Sequence, residues 1–281
     1  MFILDWLRQT YRQALEKRPF APPITVSTQP ALFFAPHEDD ETLGCGGMII
    51  QKCAAAADVG VVFMTDGRQS HAHLMPAEEL VARRRQEALD ACRVLGVAAQ
   101  HVSFLNFTDG FLSDAWETAV PPILDLLQQY QPAEVYIPYA KEPPADHVAT
   151  NLIVLAALKQ YDHPVTVYEY PVWFWHHWPW VGLKPHYPGE RRAILHNTFA
   201  TFFGRRLLTD FNCALDVAHV LEQKCLALEQ HKTQMSSLLP EQGWLTLHDV
   251  AYGDWLACFF QKQEVYCRYP FPHNSSQPHM K

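Results

Sequence analysis

Three things are scarce in this 281-residue chain. Its seven cysteines (Cys45, Cys53, Cys92, Cys213, Cys225, Cys258 and Cys267) are odd in number and show no close paired spacing. That argues against a disulfide framework and against a cysteine-based zinc site. Positive charge is short as well: 22 Lys and Arg against 30 Asp and Glu leave a net charge of −8, which disfavours a nucleic-acid partner. No stretch is apolar for long enough to cross a membrane, so stable membrane insertion is not expected. The segment Met1 to Arg8 has neither a basic leader nor a small-residue cleavage site, and the expected location is cytoplasmic. Internal repeats and interpretable low-complexity segments are also lacking.

What the chain does have is apolar content, 48% of its residues, ample for a sizeable core. The spacing of apolar residues predicts a short amphipathic helix through Leu15, then a proline-rich link from Pro19 to Pro30. Strand and helix signals then alternate. Strands are expected at 31–36, 59–64, 102–107, 134–138 and 165–170, and helices at 42–57, 76–95, 119–130 and 147–160. Gly44, Gly46 and Gly47 would let the first of these helices pack close to the sheet. Such alternation predicts an α/β, Rossmann-like three-layer sandwich, with a mainly parallel sheet and helices on both faces. Beyond it a helix is expected from Val217 to about Gln234, and a disordered tail from Pro270. The expected division is a helical extension and linker at 1–30, one domain at 31–265 and a flexible tail at 266–281.

The chemistry gathers at strand ends. The apolar run Ala31–Ala35 leads into Pro36-His37-Glu38-Asp39-Asp40-Glu41. In open α/β sheets ligands sit at the carboxyl ends of strands. A catalytic zinc needs three protein ligands and a water, and it accepts imidazole together with carboxylate. His37 and Asp40 can supply two of those ligands, and Asp39 is free to act on the water. The competing reading is a helix cap, with Asp40 or Glu41 satisfying first-turn amides. Four ionisable groups at one strand mouth favour the cation. Asp146-His147 lies after the fourth strand at a loop-to-helix junction, where His147 suits a third ligand and Asp146 is near enough to orient an imidazole. Arg68, His71 and His73 follow the second strand and could line the mouth or sit on a surface loop. Trp173-Phe174-Trp175-His176-His177-Trp178-Pro179-Trp180 could serve core packing, a homo-oligomer contact or stacking on a sugar ring. A lipid-facing role has no basic patch in its support.

These motifs resemble, in order, those of the zinc-dependent de-N-acetylases of the PIG-L/LmbE family. The resemblance rests on Pro36-His37-Glu38-Asp39-Asp40-Glu41-Thr42-Leu43-Gly44-Cys45-Gly46-Gly47, Thr65-Asp66-Gly67, Arg84 with Glu87, Phe104 to Asp109, and Asp146-His147. Late in the chain Lys224, Ala227, His231, Thr233 and Gln234 resemble a further family helix, so the likeness spans about residues 31 to 265. It implies zinc held by His37, Asp40 and His147, Asp39 as general base, and Arg84 and Asp109 as sugar contacts. The implied substrate is an acetamido-sugar conjugate of the N-acetylglucosamine type, which would lose its acetyl group. Two residues depart from the pattern. Glu38 replaces a proline, and Pro144 stands where the family has a histidine that helps polarise the carbonyl or stabilise the oxyanion. Proline cannot donate that hydrogen bond; either another group replaces it, with His71 and His231 the leading candidates, or the enzyme is slow or has lost its catalysis. Two alternatives remain: a non-catalytic, metal-stabilised sugar-binding protein, and a Rossmann-like nucleotide-binding transferase.

Overall fold

The computed structural model describes residues 2–17 and 23–272. Its strands are β1 (Ala31–Ala35), β2 (Val59–Thr65), β3 (Val102–Phe107), β4 (Glu134–Pro138), β5 (Thr166–Tyr170), β6 (Cys213–Asp216) and β7 (Gln263–Pro270). Its helices are α1 (Phe2–Glu16), α2 (Asp40–Ala54), α3 (Ala77–Leu95), α4 (Trp116–Tyr130), α5 (Ala145–Leu158), α6 (Glu190–Ala200), α7 (Arg206–Thr209), α8 (Leu221–Leu228) and α9 (Lys232–Met235). The strands form one sheet in the order β3-β2-β1-β4-β5-β7-β6. The first five run parallel, while β7 pairs antiparallel with both β5 and β6.

All five residues of β1 are buried, because helices cover both faces of the sheet. The period of two divides them between two cores. Ala31, Phe33 and Ala35 pack with Val61, Phe63, Ala88 and Leu95 on one side. Leu32 and Phe34 pack with Val62, Ile123, Val135 and Ile153 on the other. This is the expected three-layer sandwich. The close approach of α2 to the sheet depends on its glycines: a Cβ at Gly44 would overlap the Tyr170 ring, and one at Gly47 would overlap Val217. Among the described residues, no helix is long and apolar enough to cross a membrane.

Two expectations change. The helix expected at 217–234 is broken into α8 and α9, with His231 between them in a non-helical conformation (φ −76°, ψ 64°). Tertiary bonds decide this, since His231 Nε2 lies 2.9 Å from Glu41 Oε1 and the Thr233 amide donates to Glu87 Oε1 at 3.0 Å. Strand β7 carries the fold to Pro270, past the boundary placed at residue 265 and into the segment expected to be a tail. Its Glu264 is buried and accepts the Gly47 and Met48 amides at 2.7 and 3.0 Å, a role that local pattern does not reveal. Residues 273–281 of the expected tail lie outside the described residues, as do 18–22 of the link. The amino-terminal extension is docked on the domain: Arg8 donates to the carbonyls of Pro179 and Trp180, both at 2.9 Å.

Candidate metal-dependent active site

The chain reverses direction across the sheet between β1 and β4, the switch point at which open α/β sheets bind ligands. Both metal-ligand candidates of the first motif follow β1, and Asp146-His147 follows β4. At the end of β1 the Pro36 carbonyl is fixed by the Thr65 amide and hydroxyl at 3.0 and 2.8 Å. Asp39 then turns the chain into α2 with φ 143° and ψ −27°. A non-glycine residue there costs about 1–3 kcal/mol. The strain is held by Thr42 and Leu43, whose amides bond the Asp39 carbonyl at 3.1 and 2.9 Å, and by Glu41 Oε2, which accepts the Asp39 amide at 3.0 Å. The Asp39 carboxylate makes no capping bond.

One carboxylate oxygen organises the site. Asp40 Oδ2 lies 3.3 Å from His37 Nδ1 and 3.4 Å from His147 Nε2, and the two rings are 5.5 Å apart. Donor atoms of His37, Asp40 and His147 all fall within 4.8 Å of one another. His147 is fully buried and neither of its ring nitrogens has a hydrogen-bond partner. Buried polar atoms are rarely left so, and a cation accounts for the orphaned Nε2. Burial pushes the His147 imidazolium down to about 4, which keeps the ring in the neutral form that ligates. Burial would raise Asp40, but the two imidazoles outweigh it and its carboxyl is lowered. Imidazole, carboxylate and imidazole at this spacing fit zinc.

The far nitrogen of each ring faces an outer carboxylate. His37 Nε2 lies 3.2 Å from Asp109 Oδ1 and 3.4 Å from Asp146 Oδ2. Asp146 is fixed in turn by the amides of Gly110 and Leu112, at 2.6 and 3.2 Å. The imidazole that Asp146 orients is therefore that of His37. His147 Nδ1 instead faces Glu142 Oε2 at 3.5 Å. Despite burial, His37 holds Asp109 down to about 2. Burial pushes Glu142 up to about 8, against the three amides it accepts. Outer carboxylates of this kind fix tautomer and ring orientation. His37, Asp109 and Asp146 also satisfy a metal-donor spacing, but they share His37 with the first set.

Asp39 sits beside this cluster without joining the ligand set. Burial and the neighbouring Asp40 charge push its carboxyl up to about 7, while Arg84 pulls it down. Arg84 is not the exposed helix residue that its neighbours Arg83 and Arg85 suggest: it is buried, with Nη2 3.9 Å from Asp39 Oδ2 and 2.6 Å from the Glu38 carbonyl it donates to. Its Nε lies 3.1 Å from Glu38 Oε2, a close charge contact without hydrogen-bond alignment. Glu38, in place of the family's proline, is thus the counter-ion of Arg84.

The cleft above these groups has a volume of about 300 Å³. His37, Asp39, Asp40, Arg84 and Asp109, with Gln69, Ser70 and Gln234, form its polar part, and Leu43, Leu247, Trp173, Trp255 and Pro144 its apolar walls. Trp173 stacks on Trp255 at 4.8 Å, and the indole N–H of Trp255 is buried without an acceptor. The Trp-rich segment divides: Trp173 lines the cleft, Trp175 and Trp180 are core, and Trp178 stacks on Tyr11 at 5.2 Å. Arg68 pairs outward with Asp66 at 2.6 Å. His71 is stacked on Trp244 and committed to the Leu245 carbonyl at 2.8 Å. His231 lies behind Asp39 on Glu41. Neither histidine lines the cleft at Pro144. Sequence reasoning missed Glu142, Glu41 as support for Asp39, and the cleft residues Trp255 and Leu247. Of these only Glu142 had a legible signal, being a carboxylate in the loop that leads to His147.

Residues 32–158 match the family described as PIG-L, GlcNAc-PI de-N-acetylase. Deacetylases of 1D-myo-inositol 2-acetamido-2-deoxy-alpha-D-glucopyranoside from two Mycobacterium strains are each 26% identical over 249 residues, covering 76% of this chain and 77% of theirs. Among solved structures, the N,N'-diacetylchitobiose deacetylase of Pyrococcus horikoshii aligns with a TM-score of 0.64 at 21% identity, covering 96% of this chain and 93% of that one. The 4-carboxy-2-hydroxymuconate hydratase of Pseudomonas putida shares the fold at a TM-score of 0.53 and 16% identity, covering 89% of this chain and 99% of that one. A fold that hosts both reactions does not by itself choose between them.

Proposed function

We propose, from the match of residues 32–158 to the PIG-L family and from the site's geometry, that this chain is a zinc-dependent amidohydrolase that removes the acetyl group from an N-acetylglucosamine-type sugar conjugate. The observation that carries the reading is the shared Asp40 Oδ2, between His37 Nδ1 at 3.3 Å and His147 Nε2 at 3.4 Å, with the unligated Asp39 alongside. His37, Asp40 and His147 would hold the metal. When bound, zinc would supply Lewis acidity, lowering the pKa of a water towards neutrality and polarising the amide carbonyl. Asp39 would take the proton from the attacking water and return it to the nitrogen, which must leave as an amine. Arg84 and Glu41 hold Asp39 in place for both transfers. Asp109 turns its carboxylate to His37 while still lining the cleft, so a sugar hydroxyl would share it with that ring. Leu43, Trp173 and Trp255 offer apolar faces for the sugar or its aglycone. The seven free thiols suit a reducing, cytoplasmic compartment.

The nucleotide-binding alternative fares poorly, since Asp40 and Glu41 occupy the α2 amino terminus and would repel phosphate. The non-catalytic alternative keeps one supporting observation, Pro144 on the cleft wall. Acetate release from a panel of N-acetylglucosamine conjugates, with zinc supplied, tests the proposal. Zinc-dependent release from at least one conjugate is expected. Saturable binding of a conjugate without any release would instead favour the sugar-binding protein.

A further inference from the structure

A second and larger cavity, of about 610 Å³, lies apart from the cleft and shares none of its lining. It is framed by Tyr11 of α1, Trp178 of the Trp-rich segment, and Leu195, Phe199 and Phe203. An adjoining depression adds Phe202 and Arg205 to Tyr11, Trp178 and Phe203. The surface around them is unusually apolar. Seven of the thirteen large hydrophobic side chains exposed among the described residues belong to α1, α6 or the turns beside α6, and Trp6, Phe199 and Phe202 are each more than 60% exposed. The face is firmly built: Arg8 clamps α1 to the carbonyls of Pro179 and Trp180 at 2.9 Å and to Asp254 at 2.8 Å. Phe202 and Phe203 both hold positive φ, at 50° and 56°. That conformation is rare for bulky residues, and here it accompanies two exposed rings.

Charge names the partner. The chain as a whole carries −8, yet residues 184–206 hold Lys184, Arg191, Arg192, Arg205 and Arg206 against Glu190 alone. Glu190 is buried, whereas Lys184, Arg191, Arg192 and Arg205 are exposed. Arg191, Leu195 and Phe199 are spaced by four and share one face of α6. The Arg206 guanidinium lies 5.6 Å from the centre of the Phe202 ring. α1 adds no net charge, since Asp5 and Glu16 balance Arg8 and Arg12, and Asp5 with Arg8 lines the cavity beside the apolar rings. A second copy docked on this face about a two-fold axis would oppose these arginines to one another. Exposed aromatics ringed by cations match the boundary of an anionic bilayer, where rings sit at headgroup level and Lys or Arg meet the negative surface. We propose that this face docks the protein reversibly on an anionic phospholipid surface, its aromatic rings and cavity taking acyl-chain carbon. The basic residues come from α6 and the segments on either side of it, and α1 brings apolar side chains to the same face. Nothing in this proposal depends on the hydrolase reading.

The test uses the full chain and vesicles of phosphatidylcholine, with and without about one-third phosphatidylglycerol. Cosedimentation with the anionic vesicles at low salt is expected, falling at least tenfold at about 0.5 M salt as the charges are screened. Phe199→Ser with Phe202→Ser, and separately Arg191→Glu with Arg192→Glu, should each weaken binding at least tenfold. All four side chains are exposed, so circular dichroism and release of acetate from a soluble conjugate should match the parent. Absence of binding to anionic vesicles at low salt overturns the proposal, and so does undiminished binding by both double variants. A concentration-dependent dimer dissolved by the Phe→Ser pair, without vesicle binding, also overturns it and makes the face a contact between copies.

Discussion

Glu142 Oε2 lies 3.5 Å from His147 Nδ1, while the same carboxylate accepts the amides of Val172, Trp173 and Phe174 at 3.1, 2.5 and 3.0 Å. One buried acid therefore faces His147, the proposed third metal ligand, and also fixes the loop that brings Trp173 to the cleft. Loss of such an outer partner typically costs ten- to a hundredfold in metal affinity. Glu142→Gln should weaken zinc binding by about that factor, read by competition with a chelating dye. It should also raise KM through the loosened Trp173 loop. Unchanged zinc affinity would show that the contact with His147 is incidental.

Protein purified without chelator should contain about one zinc per chain. Removal of the metal should abolish acetate release, and added zinc should restore it. His147→Ala should lose the ion, since the remaining two ligands rarely hold zinc alone. Full occupancy in that variant, by elemental analysis, would remove His147 from the ligand set.

Asp39→Asn should retain zinc and lose roughly a hundred- to ten-thousandfold in kcat, the usual worth of a general base. Asn shares the tolerance of Asp for positive φ, so the turn at φ 143° should survive. A near-parental rate in a correctly folded variant would give Asp39 another job.

Pro144 lines the cleft, and His71 and His231 do not. An added imidazole there should supply the donor that proline lacks. Pro144 has φ −70° and ψ 139°, open to any residue. Pro144→His should raise kcat, by up to about a hundredfold if no other group has taken over the task. His71→Ala should change it less than about threefold, well short of an oxyanion contact, because that ring is committed to Leu245. Stopped assays on one conjugate compare all three proteins; a rate unmoved by Pro144→His means another donor is already in place.

His231 carries a pH-dependent part of the stability. Burial alone would lower its imidazolium, but the Glu41 charge and hydrogen bond outweigh it, and the folded value is raised above 6.5. Because the folded value is the higher one, the contribution is complete below about 6.5 and fades as pH rises through the raised value. His231→Gln should cost on the order of 1–3 kcal/mol at mildly acid pH, with the gap narrowing towards alkaline pH. Urea unfolding across that range measures it. A gap independent of pH would mean that the pair acts by shape alone.

The sequence by itself determined the sheet and the first-motif site. Ala31–Ala35 is apolar throughout because both of its faces are buried, and the alternation after it is a local pattern that a parallel sheet requires. His37, Asp39 and Asp40 lie within four residues, so their association needs no long-range information. Tertiary structure alone decided the rest. Glu41 meets His231 across 190 positions, and that contact breaks a helix whose local periodicity runs on. Glu264 is an ordinary strand acid until α2 presents the Gly47 and Met48 amides to it. Asp146 faces His37 and leaves its neighbour His147 to Glu142, because successive residues entering a helix point in different directions. Periodicity reports which face of an element is buried; which charged group meets which depends on how the elements pack.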